Sequence, residues 1–223
     1  MRSTDSGGMR AACSLVLSVV LLTGLAGAPQ QALAGRQQYE PMAASVRSTL
    51  HAAVSDAGAP ELLIANEGER VRWLQDMSRR LEKRIPDRHY REELLTAVHY
   101  EATRAGLDPQ LVLGLIQVES GFRKYAVSSA GARGFMQVMP FWIKTIGLPQ
   151  DNLFHLRTNL RYGCTILRHY LDIEKGDLYR ALGRYNGSLG KPEYPTLVRA
   201  AWEKHWSYQS LRLASDDRGS RAN

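Results

Sequence analysis

Several things are scarce in this sequence. Only two cysteines, Cys13 and Cys164, occur in 223 residues, which allows one bridge at most and excludes a disulfide-built scaffold. The six histidines form no HExxH or comparable ligand spacing, so metal catalysis has no support and no cofactor is expected. Sustained alternation of apolar and polar residues is missing, which argues against a β fold. One long apolar run exists, at residues 11–26 (AACSLVLSVVLLTGLA), so a multi-span membrane protein is excluded. What remains is an ordinary globular composition, 44% hydrophobic and 23% charged, at a length for one domain with extras.

One excess accompanies these absences. Lys and Arg number 29 against 22 Asp and Glu, a formal net charge of +7 and a pI near 9.6. Such a surface favours polyanions: nucleic acid, anionic lipid or an anionic wall polymer. The first segment removes part of the charge. Arg2 and Arg10 precede the apolar run and Ala32-Leu33-Ala34 follows it, the pattern of a cleaved secretory signal over residues 1–34. The run is shorter than the ~20 residues that span a bilayer comfortably, so no stable membrane span is expected after cleavage. A start at Met9 gives an equally tidy signal. Removing Arg2, Arg10 and Asp5 takes away +1 and leaves +6 on the exported chain. It also leaves Cys164 as its one thiol, which the apolar context 162–167 places in a core.

Residues 35–60 mix Gln, Ala, Ser, Gly and Pro without periodicity and read as a linker or arm. An N-terminal helix is expected within 61–87, with Val71, Leu74, Met77 and Leu81 as its apolar stripe, stopped by Ile85-Pro86-Asp87. The basic cluster around Arg79, Arg80, Lys83, Arg84, Arg88 and Arg91 is interleaved with Glu82, Asp87, Glu92 and Glu93. It reads as a solvated helix face, and no nucleic-acid partner is expected. Further helices are expected at 88–104, at 109–119 behind Asp108-Pro109, and at 135–146, 156–172, 178–185 and 196–213. The fold class is therefore all-α, with a polar tail at 209–223.

The chemistry concentrates where residues 111–118 (LVLGLIQV) run into Glu119. A helix apolar on most sides belongs in a core. A carboxyl at its end meets both burial and the negative end of the helix dipole, and each disfavours the charged form. A carboxyl held protonated near neutrality is what a general acid requires.

Four motifs follow in order: Glu119-Ser120; residues 126–140 (AVSSAGARGFMQVMP); Asn159-Leu160 with Gly163 and then Ile166-Leu167 or Tyr170-Leu171; and Tyr185-Asn186-Gly187. With them the chain, over about residues 88–208, resembles the soluble lytic murein transglycosylases, whose SLT domain is a lysozyme-like helical fold. Phe135 replaces the family Leu, and Gly187-Ser188 replaces the commoner Ala-Gly.

The resemblance implies that peptidoglycan glycan strands are the substrate and that Glu119 is the single catalytic acid and base. It carries over Ser128 as a contact to the N-acetyl group and Met136, Gln137 and Met139 as subsite lining. It places Tyr185 where a hydroxyl reaches the catalytic carboxylate, with Asn186 supporting that turn. No Asp or Glu lies between Glu119 and Asp151, whereas ordinary glycosidases use a carboxylate pair. The rival readings are a lysozyme-type hydrolase that uses water and a non-catalytic peptidoglycan-binding module. The expected location is the periplasm of a Gram-negative bacterium. Endo- or exo-cleavage, and any association with a cell-envelope machine, stay open.

Overall fold

The structure, a computed structural model, describes residues 37–56 and 58–209. The signal-like segment 1–34, with Cys13, and all of the polar tail beyond residue 209 lie outside the described residues. In chain order the helices are α1 (Ala44–Ser55), α2 (Glu67–Leu81), α3 (Arg88–Arg104), α4 (Pro109–Glu119), α5 (Phe141–Ile146), α6 (Leu156–Ile173), α7 (Leu178–Asn186) and α8 (Glu193–Ala201). A π-helical turn at Trp202–Trp206 follows α8. Among the described residues there is no β-strand, only the isolated bridges Val127–Arg133 and Arg133–Val138, so the all-α expectation stands.

Short polar side chains start four of these helices. Asn66, Asp87, Asp108 and Asp177 each accept from a backbone N–H of the first turn, at 2.7–3.0 Å. Each such cap contributes about 1 kcal/mol. In α4, Pro109 follows the cap, where its missing N–H costs nothing.

The core is organised around α4, whose residues 111–116 are all buried. Helices α3 and α8 and the π turn pack around it. Gly114 permits this approach, because a Cβ there would lie 2.9 Å from the Trp202 backbone nitrogen. On the far side α6 packs against α1, α3 and α7. It buries Cys164, and burial, reinforced by the nearby Glu101 charge, pushes that thiol well above its usual range.

Four expectations are corrected. Within 35–60, residues 44–55 form α1 instead of a linker. Leu50 and Val54 are its buried residues, too few to be read as a pattern, and its last turn is held by distant arginines. Arg104 donates to the Ala53 carbonyl at 2.9 Å and pairs with Asp56 at 3.0 Å. Arg161 donates to the Val54 carbonyl at 3.4 Å. Both arginines pair with the fully buried Glu101. Cations thus satisfy carbonyls that a helix end leaves open.

In α2 the buried stripe is Trp73, Met77 and Leu81, while Val71 faces water. The helix expected over 135–146 begins only at Phe141. Gly134 and Gln137 have left-handed backbones (φ 76° and 49°) and Pro140 stands just before the helix, so 134–138 is a turn. Finally, the last helix starts at Glu193 and passes into the π turn by Trp202.

The basic cluster divides. Arg79 and Arg88 make exposed ion pairs with Asp76 and Glu92. Arg91 is buried and donates to the Ser78 hydroxyl and to the Ile85 and Pro86 carbonyls. It closes the α2–α3 connection instead of contributing to a solvated face.

Candidate active site

Glu119 is the last residue of α4 and is 2% exposed. The chain turns immediately after it: Gly121 and Phe122 both take left-handed backbones (φ 58° and 66°). Phe122 then packs on Trp206 with ring centroids 5.3 Å apart, which makes it a core residue. Tyr125 turns outward, 72% exposed, against Phe154.

The neighbour of the Glu119 carboxyl comes from α8. The Tyr194 hydroxyl lies 2.5 Å from Glu119 Oε1. Tyr194 carries no local motif that marked it in the sequence, and it is buried. Burial first, then the Glu119 charge, push its phenol well above the ordinary value, so it stays protonated across the working pH range. Tyr185 is fully buried beside them, and its phenol is raised by burial and by the same carboxylate.

The hydroxyl of Tyr185 donates to the Met136 carbonyl at 2.8 Å. The role of reaching Glu119 through a hydroxyl hydrogen bond, expected of Tyr185, is thus filled by Tyr194. Tyr185 instead joins α7 to the turn that carries Met136.

That turn is held from within. Gln137 donates its side-chain amide to the Ala126 and Gly134 carbonyls, at 3.1 and 2.9 Å. A left-handed backbone costs a non-glycine residue about 1–2 kcal/mol, and these two bonds offset it. Ser128 accepts from the Ala132 N–H at 3.0 Å, and Arg133 and Val138 exchange backbone bonds at 3.0 Å. Ser128 and Gln137 are therefore parts of one closed loop, residues 126–138.

Two positions one turn apart on α6 fasten this loop to the core. Asn159 accepts from the Met136 N–H at 2.8 Å and donates to the Arg133 and Leu153 carbonyls at 2.8 Å each. Gly163 leaves room for the Met136 side chain, since a Cβ there would meet its Sδ at 2.3 Å. Gly134 is needed twice over: its φ is 76°, and a Cβ would fall 2.4 Å from Asn159 Nδ2. The Asn159–Gly163 motif is thus a clamp for the loop.

This packing corrects the expectation for Met136, whose side chain is 0% exposed. Filling the space above Gly163 makes it core, without a free face to line a subsite. Met139 is half-buried and packs against the core edge. Asn186 ends α7 and donates to the Ser188 hydroxyl at 3.0 Å. Gly187 follows in the left-handed conformation (φ 72°) that terminates the helix. That requirement accounts for glycine at this point in the turn. At Ile166-Leu167 and Tyr170-Leu171 all four side chains are buried.

Among the described residues no helix is long and apolar enough to cross a membrane, and no group of three His, Cys, Asp or Glu is placed to hold a metal ion.

A core helix ending in one buried carboxyl and wrapped by helices defines a lysozyme-like all-α domain. Residues 96–195 match the Transglycosylase SLT domain family, and that stretch of the chain is similar to its members. The Transglycosylase of Enterobacteria phage PRD1 is 36% identical over 88 residues, covering 40% of this chain and 32% of the relative. The Membrane-bound lytic murein transglycosylase C of Actinobacillus pleuropneumoniae serotype 5b (strain L20) is 50% identical over 48 residues, 22% of this chain and 13% of the relative. The protein of the same description from Haemophilus influenzae (strain PittEE) is 48% identical over 46 residues, 21% and 13% of the two chains. The chain thus spans a third or less of the length of these relatives. No solved structure matches it.

Proposed function

We propose that the chain is an exported peptidoglycan lytic transglycosylase with Glu119 as its single acid and base. The observation that carries this reading is the Glu119 carboxyl, buried at the carbonyl end of α4 and bonded to Tyr194. A buried carboxyl beside a hydroxyl donor is suited to give and take back one proton in turn. Asp151, the next acid along the chain, is engaged by the Tyr162 hydroxyl at 2.5 Å and the Leu148 N–H at 2.9 Å. This favours a mechanism without a second carboxylate over the usual glycosidase pair.

The substrate is the β-1,4 bond between N-acetylmuramic acid and N-acetylglucosamine. Glu119 gives its proton to the glycosidic oxygen as the C1–O bond breaks. The N-acetyl oxygen of the muramic residue closes on C1 and holds the positive charge. Glu119, now a carboxylate, takes the proton of the C6 hydroxyl, and O6 displaces the N-acetyl oxygen. The products are a free N-acetylglucosamine 4-hydroxyl and a 1,6-anhydromuramic end. Glu119 returns to its protonated state and no water is consumed.

Ser128, Met139 and Asn186 are the residues proposed to meet the glycan, with the buried Gln137 shaping the loop that carries Ser128. The signal-like residues 1–34, the +6 charge left after their removal and the murein transglycosylase names of relatives support action on the cell wall, in the periplasm of a Gram-negative bacterium.

Digestion of purified peptidoglycan with residues 35–223, read by mass spectrometry, tests the reading. Fragments ending in anhydromuramic acid, lighter by one water than reducing ends, are expected, and none from Glu119→Gln, which still binds. Reducing ends would make the protein a hydrolase. Binding without fragments would make it a binding module.

A further inference from the structure

We infer that residues 37–43, which precede the matched 96–195 unit, are a working part of the active-site framework, with Gln37 as a positioning residue for the turn that Tyr185 holds beside Glu119. The inference rests on the function proposed above.

Gln37 is 4% exposed, and its Oε1 takes two donors from one short stretch. These are the Met139 N–H at 3.3 Å and the Trp142 indole N–H at 3.0 Å. Met139 stands just ahead of α5, whose first turn has no side-chain cap of its own. Gln37 therefore ties the segment that enters α5 to the arm, and satisfies two donors that burial would otherwise make costly.

The amide end of Gln37 lies beside the Tyr185 hydroxyl, which holds the Met136 carbonyl at 2.8 Å. Residues 136–139 are thus gripped at both ends, by Tyr185 and by Gln37. Tyr185 in turn lies within reach of the Glu119 charge and of Tyr194. Gln37 therefore acts through its Oε1 on the turn that Tyr185 holds from the other side, and not through an unbroken run of hydrogen bonds to Glu119.

Two more contacts fix the arm. The Tyr39 ring meets Phe141 edge-on at 6.0 Å. Glu40 pairs at 2.6 Å with Arg184, the residue before Tyr185. The arm thus braces both walls that carry the turn, α5 and the end of α7. Its polar contacts fall on the stretches bearing Met139 and Tyr185, and it also borders a groove with His169, Tyr170 and Ile173 of α6.

The test compares Gln37→Leu, which removes the acceptor, with Gln37→Glu, which keeps an acceptor of the same shape, on residues 35–223. Turnover of glycan strands and amide exchange at Met139 are measured where thermal melts show the variants folded. A misplaced turn lowers kcat by about 10- to 100-fold. That loss is expected in Gln37→Leu with KM within about twofold, and most of it is expected to be recovered in Gln37→Glu. Unchanged kcat in folded Gln37→Leu, a loss confined to KM, or no recovery in folded Gln37→Glu would overturn the inference.

If Gln37→Leu does not fold, Tyr39→Ala/Glu40→Ala loosens the arm with Gln37 intact and must show the same loss of kcat. If the wild type makes no anhydro product, the proposed function fails by itself. The arm is then judged by exchange alone: faster Met139 exchange in Gln37→Leu supports it, and unchanged exchange overturns it.

Discussion

The hydroxyl of Tyr194 and the carboxyl of Glu119 stand 75 residues apart in sequence and 2.5 Å apart in space. With its phenol raised well above the ordinary value by burial, Tyr194 remains a donor at any pH at which the protein works. It can hold Glu119 in one rotamer as an acid and stabilise it as a carboxylate once its proton has left. Tyr194→Phe is expected to slow cleavage about 10- to 100-fold, with about 1 kcal/mol lost from folding stability. Unchanged turnover in the folded variant would remove Tyr194 from the chemistry.

The contact of Met136 with Gly163 makes a second, purely steric prediction. Gly163→Ala drives a methyl into the Met136 thioether and is expected to cost about 1–3 kcal/mol. Met136→Ala creates a cavity and costs about 2–5 kcal/mol by itself. Because truncation removes the Sδ and Cε that the new methyl would strike, though not the Met136 Cβ at 2.7 Å, the double variant should be somewhat more stable than the sum of the two losses implies. Urea unfolding of all four proteins decides it, and strict additivity would mean the two side chains do not compete for one space.

Glu101 carries the attachment of α1. It is fully buried between Arg104 and Arg161, and removing one member of such a group leaves charge buried without its partner. Glu101→Leu is expected to cost about 3–5 kcal/mol. Amide protection should be lost first at residues 44–55, because the arginines that hold the Ala53 and Val54 carbonyls lose their anchor. Hydrogen exchange that stays slow in α1 would contradict this.

His99 faces the edge of Trp73 at 4.9 Å, and burial lowers its pKa to about 4 from 6.5. Unfolded, the same imidazole binds a proton between those two values while the folded form does not. Its contribution to stability is therefore full above about pH 6.5 and is lost as pH falls toward 4, amounting at most to about 3 kcal/mol. His99→Leu should flatten the dependence of melting temperature on pH in this window. A slope equal to that of the wild type would show that His99 is not its source.

Glu119 was legible in the sequence because two independent signs met there: an apolar helix and the motifs that follow it. Helix α4 was legible because Asp108 and Pro109 announce its start. Helix α1 was not, because its stability is supplied by Arg104 and Arg161 from far along the chain. Tyr194 was missed for a similar reason. It lies beside Pro195 in a segment with no pattern of its own, and only the packing of α8 on α4 brings it to Glu119. Met136 was misread because the family motif gives its place in the order and not the direction of its side chain. The Gly163 that receives it lies 27 positions later.

The close packing of α4 on the π turn bears on where this molecule can be cut. The stretch that recurs among relatives ends at residue 195. Gly114 rests on the backbone of Trp202, and the Trp206 indole donates to Gln117 at 2.9 Å, two residues before Glu119. Trimming the chain to residues 96–195 would strip the floor from under the helix that ends in Glu119. A fragment confined to residues 96–195 lacks that packing and should behave as a loose, sticky globule.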